Sequence, residues 1–192
     1  MEMLTGVMAA FGLSASAGLN AYIPLLVISL TARYTDLIHL SEPWDALTSW
    51  WIIGLLLVLS LVEFFADKFP AVNHANDVIQ TFVRPVAGAI VFAASANVIT
   101  EMHPVIALSA GVLVSGTVHA VKSVAVRPAV TASTGGAGNV PVSMAEDIFA
   151  TGISILSILI PILIAFLFIL FAALIVWLFW RRNKRNEIKQ VI

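Results

Sequence analysis

The chain has 192 residues, 60% of them hydrophobic and only 11% charged, with a net charge of −1 and a mean hydropathy of +0.99. A soluble domain carries about 25% charged and about 45–50% apolar residues, so a purely water-soluble core is excluded and lipid must take part of this apolar surface. The near-neutral charge excludes a phosphate-holding basic field and hence nucleic acid, and the absence of cysteine excludes disulfides and thiolate sites.

A membrane-spanning helix needs about 20 apolar residues. The first such run covers about 4–32 and is interrupted by Gly18, Asn20 and Pro24. Ala15-Ser16-Ala17 has the small residues of a leader cleavage site. However, Met1-Glu2-Met3 lacks a positive region and the apolar run continues past it, so a retained span is expected. Residues 33–47 hold Asp36, Glu42, Pro43, Trp44 and Asp45 and read as an interfacial connection, with Trp50 and Trp51 in the aromatic belt beyond it. The second run covers about 48–66 and the third about 77–100. A Glu101-Met102-His103-Pro104 turn leads into the fourth, about 104–126. Residues 128–145 contain Thr134-Gly135-Gly136-Ala137-Gly138-Asn139 and read as a flexible loop ending in Pro141. The capping box Ser143-x-x-Glu146 then starts a helix. The last apolar run, about 146–180, would be ~52 Å of helix against a ~30 Å hydrocarbon layer. It is either one tilted helix or two short spans meeting near Pro161.

Charge selects between these. Arg181, Arg182, Lys184, Arg185 and Lys189 form the strongest basic cluster, with Trp177 and Trp180 just before it, and should be cytoplasmic. Six spans then also place Lys68, Lys122 and Arg127 inside, whereas five place them outside. The expected fold is therefore all-α: a polytopic transmembrane helix bundle of six spans, with five the alternative. The bundle occupies residues 1–180 and a basic cytoplasmic tail residues 181–192. Two short echoes would fit duplicated halves. Ser16-Ala17-Gly18-Leu19-Asn20-Ala21 resembles Ser115-Gly116-Thr117-Val118-His119-Ala120, and Asn76-Asp77 resembles Glu146-Asp147.

The few ionisable groups are the functional signal, because charges within spans face the bundle interior and mark pathways or sites. Glu63 and Asp67 lie four apart on one helix face, followed by Lys68. Asp77, Thr81 and Arg84 share a face of the third span, His119 and Lys122 a face of the fourth, and Glu146 and Asp147 open the fifth. With six spans these groups gather toward the cytoplasmic side as one polar vestibule. Asn20 lies mid-span, four residues before Pro24, where a locally broken helix would expose backbone groups to a solute. The alternative is that Asn20 simply bonds between helices; Asn97 is read that way. The candidate solute- or ion-binding residues are Asn20, Glu63, Asp67, Asp77, Arg84, His119, Lys122, Glu146 and Asp147.

The combination of Gly18-Leu19-Asn20-Ala21-Tyr22-Ile23-Pro24, Glu63-x-x-x-Asp67-Lys68-x-Pro70, Asn76-Asp77, Arg84-Pro85, His119-x-x-Lys122 and Ser143-x-x-Glu146-Asp147 resembles a bacterial membrane family, the domain of unknown function 4126 family. The resemblance covers about residues 5–165 and implies a small multi-spanning protein with no assigned activity, in the bacterial cytoplasmic (inner) membrane.

Three function classes follow. The first is a transporter or channel for a small solute or ion, the lipid bilayer being its surroundings and a homo-oligomer one arrangement. The second is a structural or assembly membrane protein whose buried charges are ion pairs. The third, a metal-dependent membrane enzyme using Glu63, Asp67, His74 and His119, lacks any HExxH, GxSxG or P-loop pattern. No enzymatic activity and no cofactor are expected.

Overall fold

In a computed structural model of the chain the described residues are 2–68, 70–97, 102–161 and scattered positions from 163 to 181; the side chains at 2–4, 70–75, 77 and 97 are not among them. They form an all-α bundle with no strand among them: α1 (Glu2–Leu19), α2 (Tyr22–Tyr34), α3 (Trp50–Ala66), α4 (Pro70–Asn97), α5 (Pro104–Val121), α6 (Arg127–Thr134) and α7 (Asn139–Leu159). A 3-10 turn, Trp44–Thr48, precedes α3, and a π turn, Lys122–Val126, joins α5 to α6 without interrupting the helix. Three helices are long and apolar enough to cross a membrane: Val78–Ala96 within α4, Pro104–Thr134 and Asn139–Leu159. The apolar helices Thr5–Leu19, Tyr22–Tyr34 and Trp50–Ala66 are shorter.

The first apolar run is two helices, broken at Asn20. Pro24 has no N–H to give the Asn20 carbonyl, and the Asn20 Oδ1 accepts from the N–H groups of Tyr22 and Ile23, both at 3.1 Å. An Asn side chain that competes in this way with the helical ladder starts a new helix.

Several expected boundaries move. The connection at 128–145 is not a loop. Helix continues through Arg127–Thr134, the chain turns through Gly135 (φ 62°) and Gly136 (φ 93°), and α7 begins at Asn139. Both glycines take left-handed backbone that side chains with a Cβ rarely adopt, which makes this a tight turn. Consequently Ser143 lies in the second turn of α7 and is no cap; its hydroxyl goes to Asp67 instead. The 146–180 run is interrupted where α7 ends, Ile160 leaving helical geometry at φ −140° just before Pro161. The basic tail at 182–192, together with its side of the membrane, lies outside the described residues.

The core is made of small side chains. Ala10, Ala17, Ala87, Ala93, Ala94, Ala96 and Ala107 are buried where α1, α4 and α5 cross, with Leu13, Val91 and Phe92 filling between them. Small residues let membrane helices approach closely enough for dispersion to hold them, since lipid offers no hydrophobic gradient. α7 is turned inside out relative to a soluble helix. Its buried residues are Ser143, Glu146, Ala150, Ser154 and Ser157, while Ile148, Phe149, Ile155 and Leu159 are exposed. α3 likewise buries Glu63 and exposes Leu55, Leu57, Val58, Leu61, Val62 and Phe65.

Candidate functional site

At the break between α1 and α2 the orphaned backbone groups must find partners, because lipid supplies none. The Ala21 N–H donates to Glu63 Oε2 at 3.2 Å, and the Leu19 carbonyl accepts from Lys122 Nζ at 3.0 Å. Two charged side chains from two other helices therefore complete the broken backbone. Asn20 itself reaches a third, its Nδ2 donating to Asp147 Oδ1 at 3.0 Å.

From this break a continuous network spreads through the bundle. Arg84, fully buried, gives one guanidinium nitrogen to Glu63 Oε1 at 2.9 Å and lies 3.9 Å from Asp67 Oδ2. Its Nη1 stands 3.1 Å from His119 Nδ1. A guanidinium only donates, so Nδ1 is the acceptor and the imidazole proton on Nε2 points to Thr81 Oγ1 at 3.2 Å. Asp67 accepts from Asn76 Nδ2 at 2.7 Å, Arg127 Nη2 at 3.1 Å and Ser143 Oγ at 3.3 Å. Glu146 is shared between Lys122 at 2.8 Å and Arg127 at 3.2 Å. Asp147 meets Lys68 at 3.5 Å, and the Lys68 ammonium also caps the Phe64 carbonyl and ring. Among the described residues four carboxylates thus face four cations. Burying a charge without a partner is prohibitive in an apolar interior, and here every described member has one.

Local helix chemistry places these groups. On a regular helix Arg127 would sit roughly 80° around from His119, eight residues at about 100° each. The π turn at Lys122–Val126 absorbs one residue and returns Arg127 to the face of His119 and Lys122. Pro128 follows directly; it cannot donate to the Val124 carbonyl, which favours the wider turn.

Of the residues singled out from the sequence, Asn20, Glu63, Asp67, Arg84, His119, Lys122, Glu146 and Asp147 meet in this one network. The Asp77 side chain lies outside the described residues, as do those of His74 and Asn97. The buried face of α4 is offset by one residue from the expected one: Asn76, Gln80 and Arg84, at four-residue spacing, are buried, while Thr81 only reaches in to His119. Nor is the network confined to helix ends. Arg84 is midway along the 28-residue α4, and His119 midway along the 31-residue Pro104–Thr134 helix. The reason is that both helices extend beyond the apolar runs that defined them in the sequence. Lys68, Arg127, Asn76 and Ser143 also join the network and were not among the candidate binding residues. For Asn76, two helical turns before Arg84, that eight-residue spacing was the available signal; for Ser143 the capping-box pattern pointed elsewhere.

Among the described residues no group of three or more Asp, Glu or His side chains has metal-holding geometry. Each described carboxylate of the network is turned to a cation or an amide instead. The profile of a family described as Domain of unknown function (DUF4126) matches residues 7–181. No curated protein and no solved structure matches the chain.

Proposed function

Because the chain belongs to the DUF4126 family, whose description assigns no activity, we propose from the geometry alone that it is a membrane transporter or channel for a small solute or ion, with the ion-pair network as its gate. The observation that carries this reading is the position of the network at the helix break. The groups that close the broken backbone, Glu63 and Lys122, are themselves members of ion pairs. A broken span is where solute sites form in many transporters, and π turns concentrate at functional positions. Two cations sharing Glu146, and two near Asp67, supply partners that can be exchanged without stranding a charge. Such exchange is how a packed interior switches between discrete states. The reading involves no chemical conversion and no cofactor.

Purified protein in liposomes should pass at least one class among small neutral solutes, monovalent ions and divalent cations faster than protein-free vesicles. Glu146→Gln, which leaves Lys122 and Arg127 with one shared partner fewer, should change that flux at least about tenfold while the helical content is retained. A tenfold change corresponds to about 1.4 kcal/mol. Absence of flux in every class from folded, inserted protein would overturn the reading. The even balance of charge favours a second one, a structural bundle pinned by ion pairs. In that case Glu146→Gln would lower thermal stability and no flux would accompany either protein.

A further inference from the structure

A cavity of about 170 Å³ lies away from the network, bordered by Thr5, Ala9, Leu37, Ser95, Ile158 and Pro161 among others. Cavities near 150 Å³ hold a benzene-sized molecule. Ala9, Ser95 and Ile158 are each eleven residues along their helices from Asn20, Arg84 and Asp147. At ~1.5 Å per residue the cavity and the network are two layers about 16 Å apart. Leu37, 61% exposed, lies in the 33–47 connection and stands at the cavity's rim.

Among the described residues its lining contains no charged side chain. Two described lining residues, Thr5 and Ser95, carry hydroxyls, and that of Ser95, 4% exposed, has no hydrogen-bond partner in the fold. A serine in a helix ordinarily bonds back to its own preceding turn, and a buried hydroxyl left without a partner forfeits its hydration uncompensated. Such a group is accounted for when something that enters the cavity bonds to it.

The same cavity sits at one end of the seam between α1 and α7, and the polar face of α7 runs along that seam. Ser16 Oγ donates to the Ala150 carbonyl at 2.7 Å, so with only one proton it must accept from Ser154 Oγ, 2.8 Å away. One step further the seam reaches the Asn20–Asp147 pair. Between the cavity end of the seam and Asp147, the buried side chains Ser157, Ser154, Ser16 and Asn20 are polar and uncharged.

We propose that this cavity is a binding site for a small uncharged solute bearing hydroxyl or amide groups, and that the α1–α7 seam is the path from it to the gate. The binding site stands by itself; the path rests on the transport reading above.

The chain has no cysteine, so Ser95→Cys puts a single, nearly isosteric thiol in the cavity. Methyl methanethiosulfonate, small and uncharged, should label this thiol in the folded protein, and its trimethylammonium-bearing analogue should do so far more slowly. Acetamide or glycerol should slow labelling by the neutral reagent several-fold, whereas sodium chloride should not. Adding Ala9→Leu, which fills the cavity, should abolish labelling. Equal rates with the charged reagent, no labelling of folded protein, or no protection by either solute would overturn the site. Acetamide and glycerol flux into liposomes then tests the path. Protection without flux would leave the site standing and overturn the path together with the transport reading.

Discussion

Arg84 shows what burial demands of a charge in this bundle. Its guanidinium is engaged by Glu63, His119 and Asp67 at once, and neither it nor Glu63 has contact with solvent beyond 1%. Removing one member of such a pair leaves the other buried and uncompensated, which costs about 3–5 kcal/mol. Arg84→Gln and Glu63→Gln should each lower the thermal midpoint in detergent accordingly. The double variant should lose less than the sum of the two by about 0.5–3 kcal/mol, the coupling expected of groups in direct contact. Strict additivity in that double-mutant cycle would mean that the 2.9 Å pair contributes nothing. At this scale much was legible in the sequence, since a charge inside an apolar run must find a partner. Which partner it finds was not: nothing in the spacing of Glu63 points to the backbone N–H of Ala21, 42 residues earlier.

At the scale of elements, helix irregularities place the network and small residues set the spacing of the helices. The break at Asn20 had a signal in an Asn four residues before a Pro, but the same residue also fitted an interhelical hydrogen bond, and in the structure it does both. The π turn at Lys122–Val126 was not readable, although Pro128 is its local cause, since a proline there more often ends a helix than widens it. Where α4 crosses α5, a Cβ on Gly111 would collide with the Gly88 carbonyl oxygen and come within 2.6 Å of Ala89 Cα. These are backbone atoms that cannot step aside, so Gly111→Ala should destabilise the bundle by about 1–3 kcal/mol. Gly54 is the control: a Cβ there meets nothing within 4 Å, and Gly54→Ala should be neutral or stabilise by up to about 1 kcal/mol through helix propensity. Thermal unfolding of the two variants side by side decides this, and similar losses for both would contradict the close crossing.

On the scale of the whole molecule the polarity is reversed from that of a soluble fold. Serines, Glu63 and Arg84 lie inside, and Leu113 (69% exposed), Ile148 and Phe149 lie outside. That arrangement is stable only where the surroundings are apolar. Leu113→Arg should therefore impair membrane insertion by about 2.5–3.5 kcal/mol on insertion scales, read as loss of membrane-fraction protein. On a water-facing surface the same change would stay within about 0.5 kcal/mol, and an unaffected yield in the membrane fraction would mean that this face is not lipid-covered.

By itself the sequence determined the solvent and the helical class, because 60% hydrophobic residues with 11% charged ones admit few other solutions. It also singled out nine polar residues from separate segments, of which the eight with described side chains meet in one network. Only the tertiary structure decided that these residues form one ion-paired network, drawing Glu63 and Asp67 from the end of α3 and Arg84 from the middle of α4. Only the structure, too, turned the 128–145 connection from a loop into helix and tight turn, and set an unpartnered Ser95 hydroxyl at a separate cavity. The physical reason is that periodicity and hydropathy are local quantities, whereas ion pairing and cavities depend on how helices distant in sequence are brought side by side.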